Sequence, residues 1–196
     1  MYKPTNQVKH LQKVMTHINI ISVVCRLFND RLDSDIFGSI SQAEIENHDA
    51  SKFSKVEIKG YVKQFFTDDK NSPEWQSALM HHYKNNAHHW QYWLDGFEQP
   101  YTEQQCKPLD MPSDQILIMV SDWIAAGLQY QGSADISGWL NDNLLTGKII
   151  LSDETSDMVS DIILAVGFRN SENGFYLFDD SFVSNVKMAS KAIAWL

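Results

Sequence analysis

NHDASKFSKVEIKGYVKQFFTDDKNSPEWQSALMHHYKNNAHHW, Asn47–Trp90, holds five of the seven histidines in the chain. It opens on the doublet His48–Asp49, with Lys52 three residues on, and closes on His81, His82, His88 and His89. Ser54 followed by Glu57 has capping-box spacing and starts a helix through SKVEIKGYVKQFF. TDDKNS reads as a loop. Ser72 and Pro73 then form an N-cap and first-turn proline, predicting a long helix from Pro73 to about Asp95. On one continuous helix His89 lies two turns beyond His82 and shares its face, while His88 points about 100° away. His81 is left over, facing solvent or supporting a neighbour.

Working outward, residues 6 to 30 read as a helix. Val8, Leu11, Val14, Met15, Ile18, Ile21, Ser22, Cys25 and Phe28 recur every three or four positions, and His17 falls inside this pattern. Ser41 opens a short helix through Asn47 that leads into the doublet. A proline-rich connection follows the histidines, long enough for an ordered cover or a lid. The helix after Pro112 is apolar at Ile116, Leu117, Met119, Val120, Trp123 and Ile124, and carries Asp122. Helices over 135–146 and 153–168, a short strand at FYLF and a helix over 181–196 complete the reading. The expected fold is an all-α bundle, one domain over 1–196 with its core at about 6–168 and an extension over 169–196.

At 196 residues the chain can bury a sizeable core, and 43% apolar with 21% charged residues argues against disorder. A net charge of −9 with no local basic patch disfavours long nucleic acid as a partner. A small anionic substrate remains open, since bound cations reverse the local sign. Two cysteines without framework spacing, no signal core and no long apolar run predict a cytoplasmic protein that does not enter membranes.

Imidazoles and carboxylates drawn from several helices are what a divalent metal needs: neutral nitrogen donors and anionic oxygen to offset charge. The competing reading makes HHYKNNAHHW a polar helix face without metal. It leaves Asp122 unexplained, because a buried carboxylate with no partner is costly.

The ordered set His17, His48–Asp49, His82, His88–His89, Asp122 resembles the HD-domain superfamily of metal-dependent phosphohydrolases, and HDASK looks like the HD-x-x-K form of its doublet. Within it, HDASKFSKVE, HYKNNAHHWQYW and MVSDW are similar to a family of small phage and bacterial proteins over roughly residues 8 to 165. The resemblance implies a helical bundle of the HD type and two divalent ions, the element being any of Mn, Fe, Co, Mg, Ni or Zn. It implies one ion on His17, His48, Asp49 and Asp122, with Asp49 bridging to a second on His82, His88 and His89. His10, on the same face as His17, is the rival first ligand; the more apolar surroundings of His17 favour it.

The expected chemistry is hydrolysis of a small phosphorylated molecule, a nucleotide or nucleoside monophosphate foremost. Lys52 places an ammonium at the same cleft to offset phosphate charge, or is merely solvated. Glu57 relays a proton to the leaving group, or only completes the cap with Ser54. A di-iron oxygenase and a non-catalytic nucleotide- or protein-binding bundle are the alternatives.

Overall fold

The computed structural model describes residues 5–96, 106–174 and 176–178. In chain order the helices are α1 (Asn6–Arg31), α2 (Ser34–Phe37), α3 (Gln42–Asn47), α4 (Lys55–Phe66), α5 (Pro73–Asn85), α6 (Ser113–Gln131), α7 (Ser137–Asn143) and α8 (Asp153–Ala165). The strands are two short antiparallel pairs, β1 (Leu94–Asp95) with β2 (Lys107–Pro108) and β3 (Phe168–Asn170) with β4 (Tyr176–Phe178). The protein is all-α, as its periodicities predict.

Thr5 caps α1 by accepting a hydrogen bond from the Val8 amide. The helix buries His10, Val14, His17, Ile21, Val24, Cys25 and Phe28, in steps of three and four that hold one side to the core. This stripe is rotated from the apolar one predicted: Val8 and Met15 are 40% and 57% exposed. Two histidines occupy inward positions, and a count of apolar residues alone passes over them. α6 is buried almost all round, with Ile116 to Ser121 continuously inside, as befits a central helix packed on both α1 and α8. Ile21, Phe28, Leu117, Ile124, Ile162, Phe168 and Tyr176 belong to one core cluster.

α4 and α5 form a hairpin across a short connection. They cross closely because Gly60 has no side chain: a Cβ there would lie 2.4 Å from the Ala78 Cβ and 2.4 Å from the Glu74 carbonyl oxygen.

The predicted helix to Asp95 ends instead at Asn85. Asn86 is extended at φ −133°, ψ 99°, and its amide donates to the His82 carbonyl at 2.7 Å. A side chain thus serves a carbonyl that the next turn would otherwise use. His88 and His89 therefore lie on a turn leading into a 3₁₀ segment, Trp90–Trp93, and share no helical face with His82. α8 stops at Ala165, three residues short of the prediction, because Gly167 at φ 120° turns the chain into β3. α7 is likewise shorter than 135–146. FYLF supplies β4. The helix expected over 181–196 lies outside the described residues. No helix among the described residues is long and apolar enough to cross a membrane.

Candidate metal centre

The site begins at the end of α3. Ser41 and Glu44 form a reciprocal capping box at its start, and His48 ends it at φ −53°, ψ 130°. Asp49 then adopts φ 57°, ψ 19°, the left-handed region. This costs an L-residue roughly 1–2 kcal/mol, and aspartate is among the few that adopt it. The bend leaves both side chains of the doublet inside, 4% and 1% exposed.

Around this turn α1 brings His17, α5 brings His82, the turn after α5 brings His88 and His89, and α6 brings Asp122. The two oxygens of Asp49 face different neighbours. Oδ2 lies 3.7 Å from His17 Nε2 and 3.4 Å from His48 Nε2. His17 Nε2 is in turn 2.7 Å from Asp122 Oδ1, and His48 Nε2 is 4.0 Å from it. Oδ1 lies 3.5 Å from His82 Nε2 and 3.7 Å from His88 Nε2, and His89 Nε2 is 2.8 Å from His82 Nε2. Three groupings place all their donor atoms within 4.8 Å of one another: Asp49 with His82, His88 and His89; His17 with His48 and Asp49; and His48 with His88 and Asp122.

These separations fit a cation. An ion about 2.1 Å from each of four tetrahedral donors holds them roughly 3.4 Å apart. Asp49 Oδ1, His48 Nε2 and His88 Nε2 are buried without any hydrogen-bond partner. Orphaned buried acceptors are expensive unless something coordinates them. The cluster can therefore hold a metal ion, and its donors are nitrogen and oxygen throughout, the set that suits first-row divalent metals.

His82 has its ring orientation set from behind. Its Nδ1 lies 3.0 Å from Glu57 Oε2, so an Nδ1–H donated to that carboxylate leaves the Nε2 lone pair toward Asp49. This is the usual support of a metal-binding imidazole. Asn86 and Ser51 close the arrangement: the Asn86 amide donates to Ser51 Oγ at 2.6 Å and lies 3.1 Å from His82 Nδ1. The other oxygen of Glu57 meets His81 Nδ1 at 2.7 Å.

Charge is arranged to suit. Burial opposes ionisation of Asp49, yet Lys52, His48 and His82 together hold its carboxyl well below the usual carboxylate range. Asp122 is likewise held low against burial by its bond to His17. Burial, then the neighbouring His48, lowers His88 to about 3. Burial, then His88 and His82, holds His89 well below an ordinary histidine. Anionic Asp49 and Asp122 beside neutral His88 and His89 are in the protonation states a metal site requires.

The sequence-predicted residues are placed as follows. His17, His48, Asp49, His82, His88, His89 and Asp122 converge. Lys52 reaches the same cleft, its ammonium 2.5 Å from Asp49 Oδ2. Glu57 is fully buried behind His82 and faces His81 and His82. That is an orienting position, on the far side of the imidazole from Asp49. Its backbone amide does take the Ser54 cap at 3.3 Å. His81 is the supporting neighbour. His10 is absent from every donor grouping and stacks on Tyr61, ring centroids 5.3 Å apart.

Ser51 and the orienting role of Glu57 escaped prediction, since no spacing rule links α4 to α5. A cavity of about 260 Å³ also escaped it. His17 and Lys52 line this cavity together with His10 and residues of α1, α4 and α6.

No curated protein and no solved structure matches the chain. One family model does, over residues 6–165, which include every residue of the cluster and of the cavity. On that match the chain belongs to DUF5662, a family of unknown function.

Proposed function

We propose that this chain is a metal-dependent phosphohydrolase of the HD-domain type, acting on a small phosphorylated molecule, a nucleoside monophosphate foremost. The observation that carries the reading is the division of Asp49: one oxygen toward His17 and His48, the other toward His82 and His88. Two divalent cations would be held here, one by His17, His48, Asp49 and Asp122 and the other by Asp49, His82, His88 and His89, with Asp49 common to both sets.

When bound, a divalent pair supplies a water of lowered pKa and positive charge for phosphoryl oxygens. The chain does the rest. Water adds to phosphorus as the P–O bond to the alcohol breaks, and the proton given up by the water ends on the leaving alcohol. Against its burial, the Asp49 carboxylate holds Lys52 protonated, and its ammonium offsets charge on the transferring phosphoryl group. Glu57 holds His82 in one tautomer.

The test is elemental analysis of the chain as purified, followed by orthophosphate release from nucleoside monophosphates with added Mn, Co, Ni or Mg. Metal-dependent release that disappears in Asp49→Asn is expected. Dioxygen consumption with a mixed-valence iron signal and no phosphate release would replace this reading with the oxygenase. A chain that takes up no metal would leave only a binding protein.

A further inference from the structure

The chain carries 25 acidic against 16 basic side chains, a balance that repels anionic ligands from most of its surface. One approach to the cluster departs from it. The cavity of about 260 Å³ is lined by His17 and Lys52 and also by Lys13. A second hollow, of about 420 Å³, shares Lys13, Phe66 and Tyr130 with the first and adds Lys9, Gln12 and Thr16. Among the described residues, no aspartate or glutamate lines either one. The charge along this route is that of three lysines.

The sequence of α1 accounts for the pattern. Residues 6 to 29 contain no acidic side chain. Lys9 and Lys13, four apart, are neighbours on one face, and both are exposed. Like charges at that spacing repel, and Lys9, near the helix start, also opposes the macrodipole. Among the described residues, the lysines in ion pairs are Lys52, Lys59 and Lys63, so no carboxylate offsets either cost. The Lys13 carbonyl accepts from Gln129 Nε2 at 2.8 Å, which ties this turn of α1 to α6. Its ammonium lies over Phe66, 5.3 Å from the ring centre. A ring face attracts a cation without neutralising it, so the charge is held where the two hollows meet and stays uncompensated.

We infer that the substrate carries a second phosphate, held by Lys13 and Lys9 apart from the phosphate that meets Lys52. The inference rests on the phosphohydrolase reading and narrows its small phosphorylated molecules to those with two anionic ends. The helix sets the separation: Lys13 and Lys9 precede His17 by four and eight residues, about 6 and 12 Å along the axis. Lysine serves a phosphate as a point charge, without the fixed fork that arginine would impose. Three ammonium groups are few for a nucleic-acid backbone, whose binding proteins neutralise many phosphates, and suit one small ligand.

Initial rates of orthophosphate release by the metal-loaded full chain test this on two pairs. They are ribose 5-phosphate with ribose 1,5-bisphosphate, and adenosine 5′-monophosphate with adenosine 3′,5′-bisphosphate. In at least one pair the bisphosphate is expected to have a KM about tenfold lower, an advantage that shrinks as salt is raised. Lys9→Gln combined with Lys13→Gln should bring the ratio of the two KM values to about one. Lys107→Gln combined with Lys148→Gln removes the same charge from exposed positions outside both hollows and should keep the ratio. All four positions are exposed, so neither double variant threatens the core. If both pairs show equal KM values, or the Lys9 and Lys13 variant keeps the ratio, no second phosphate is held there and the phosphohydrolase reading stands. If no phosphoester releases orthophosphate with any of the metals, that reading fails and the inference with it.

Discussion

Asp49 carries a demanding position: 1% exposed, left-handed in its backbone and in reach of four imidazoles and an ammonium. Asparagine also tolerates the left-handed region, so Asp49→Asn preserves the turn and removes the charge. Metal content is expected to fall to background by elemental analysis, and added manganese to stop raising the melting temperature. A ligand at a hundred times its Kd contributes about 2.7 kcal/mol in the unaltered chain. His17→Ala should lose metal as well, since its Nε2 stands among the donors, whereas His10→Ala should retain it. Glu57→Gln keeps an acceptor for His82 and loses the charge that fixes its tautomer. Metal affinity should drop about 10–100-fold, read by competition with a chelating dye.

The α4–α5 hairpin holds Glu57 against His82, and Gly60, one turn further along α4, sets how closely the helices approach. Alanine is the better helix former by about 1 kcal/mol. Its methyl would meet a backbone carbonyl that has no rotamer to escape into, and such overpacking costs roughly 1–3 kcal/mol. The second effect wins. Gly60→Ala is expected to lower the melting temperature by several degrees, taking about 2–4 °C per kcal/mol for a chain of this size. It should also weaken metal binding, because Glu57 moves with α4. The turn after α5 obeys a similar rule: Asn86 ends the helix and braces His82 with the same amide. Asn86→Ala should therefore lower metal affinity without emptying the site.

Over the whole molecule, protonation links the cluster to stability. His10, His88 and His89 all titrate lower in the folded chain than an ordinary histidine, first because of burial. Between the unfolded value of about 6.5 and the folded ones, the unfolded chain binds more protons, so stability falls as the pH falls. Each such histidine contributes a slope of about 1.4 kcal/mol per pH unit across that window. Asp49, Glu57 and Asp122 are depressed carboxylates. Their stabilisation is complete above about pH 4 and is lost only below it. Metal-free protein should thus lose melting temperature steeply from pH 6.5 to 5, in EDTA, and His88→Gln should flatten the curve.

The helices and their starts were legible in the residues. Ser41, Ser54 with Glu57, and Ser72–Pro73 are local signals that act through the backbone a few residues away, and α3, α4 and α5 begin where they indicate. The convergence of His17, His48, Asp49, His82, His88, His89 and Asp122 was legible too, as the ordered set of imidazoles and carboxylates that the resemblance draws together. Neighbouring residues did not reveal where α5 ends, that Glu57 stands behind His82, or that α1, α4 and α6 enclose a chamber. Those features depend on side chains far apart along the chain: Gly60 meeting Ala78, Asn86 reaching Ser51, Tyr130 and Phe66 lining one cavity. Periodicity describes which side of a helix turns inward. What it turns toward is decided by packing, and only the folded molecule contains that.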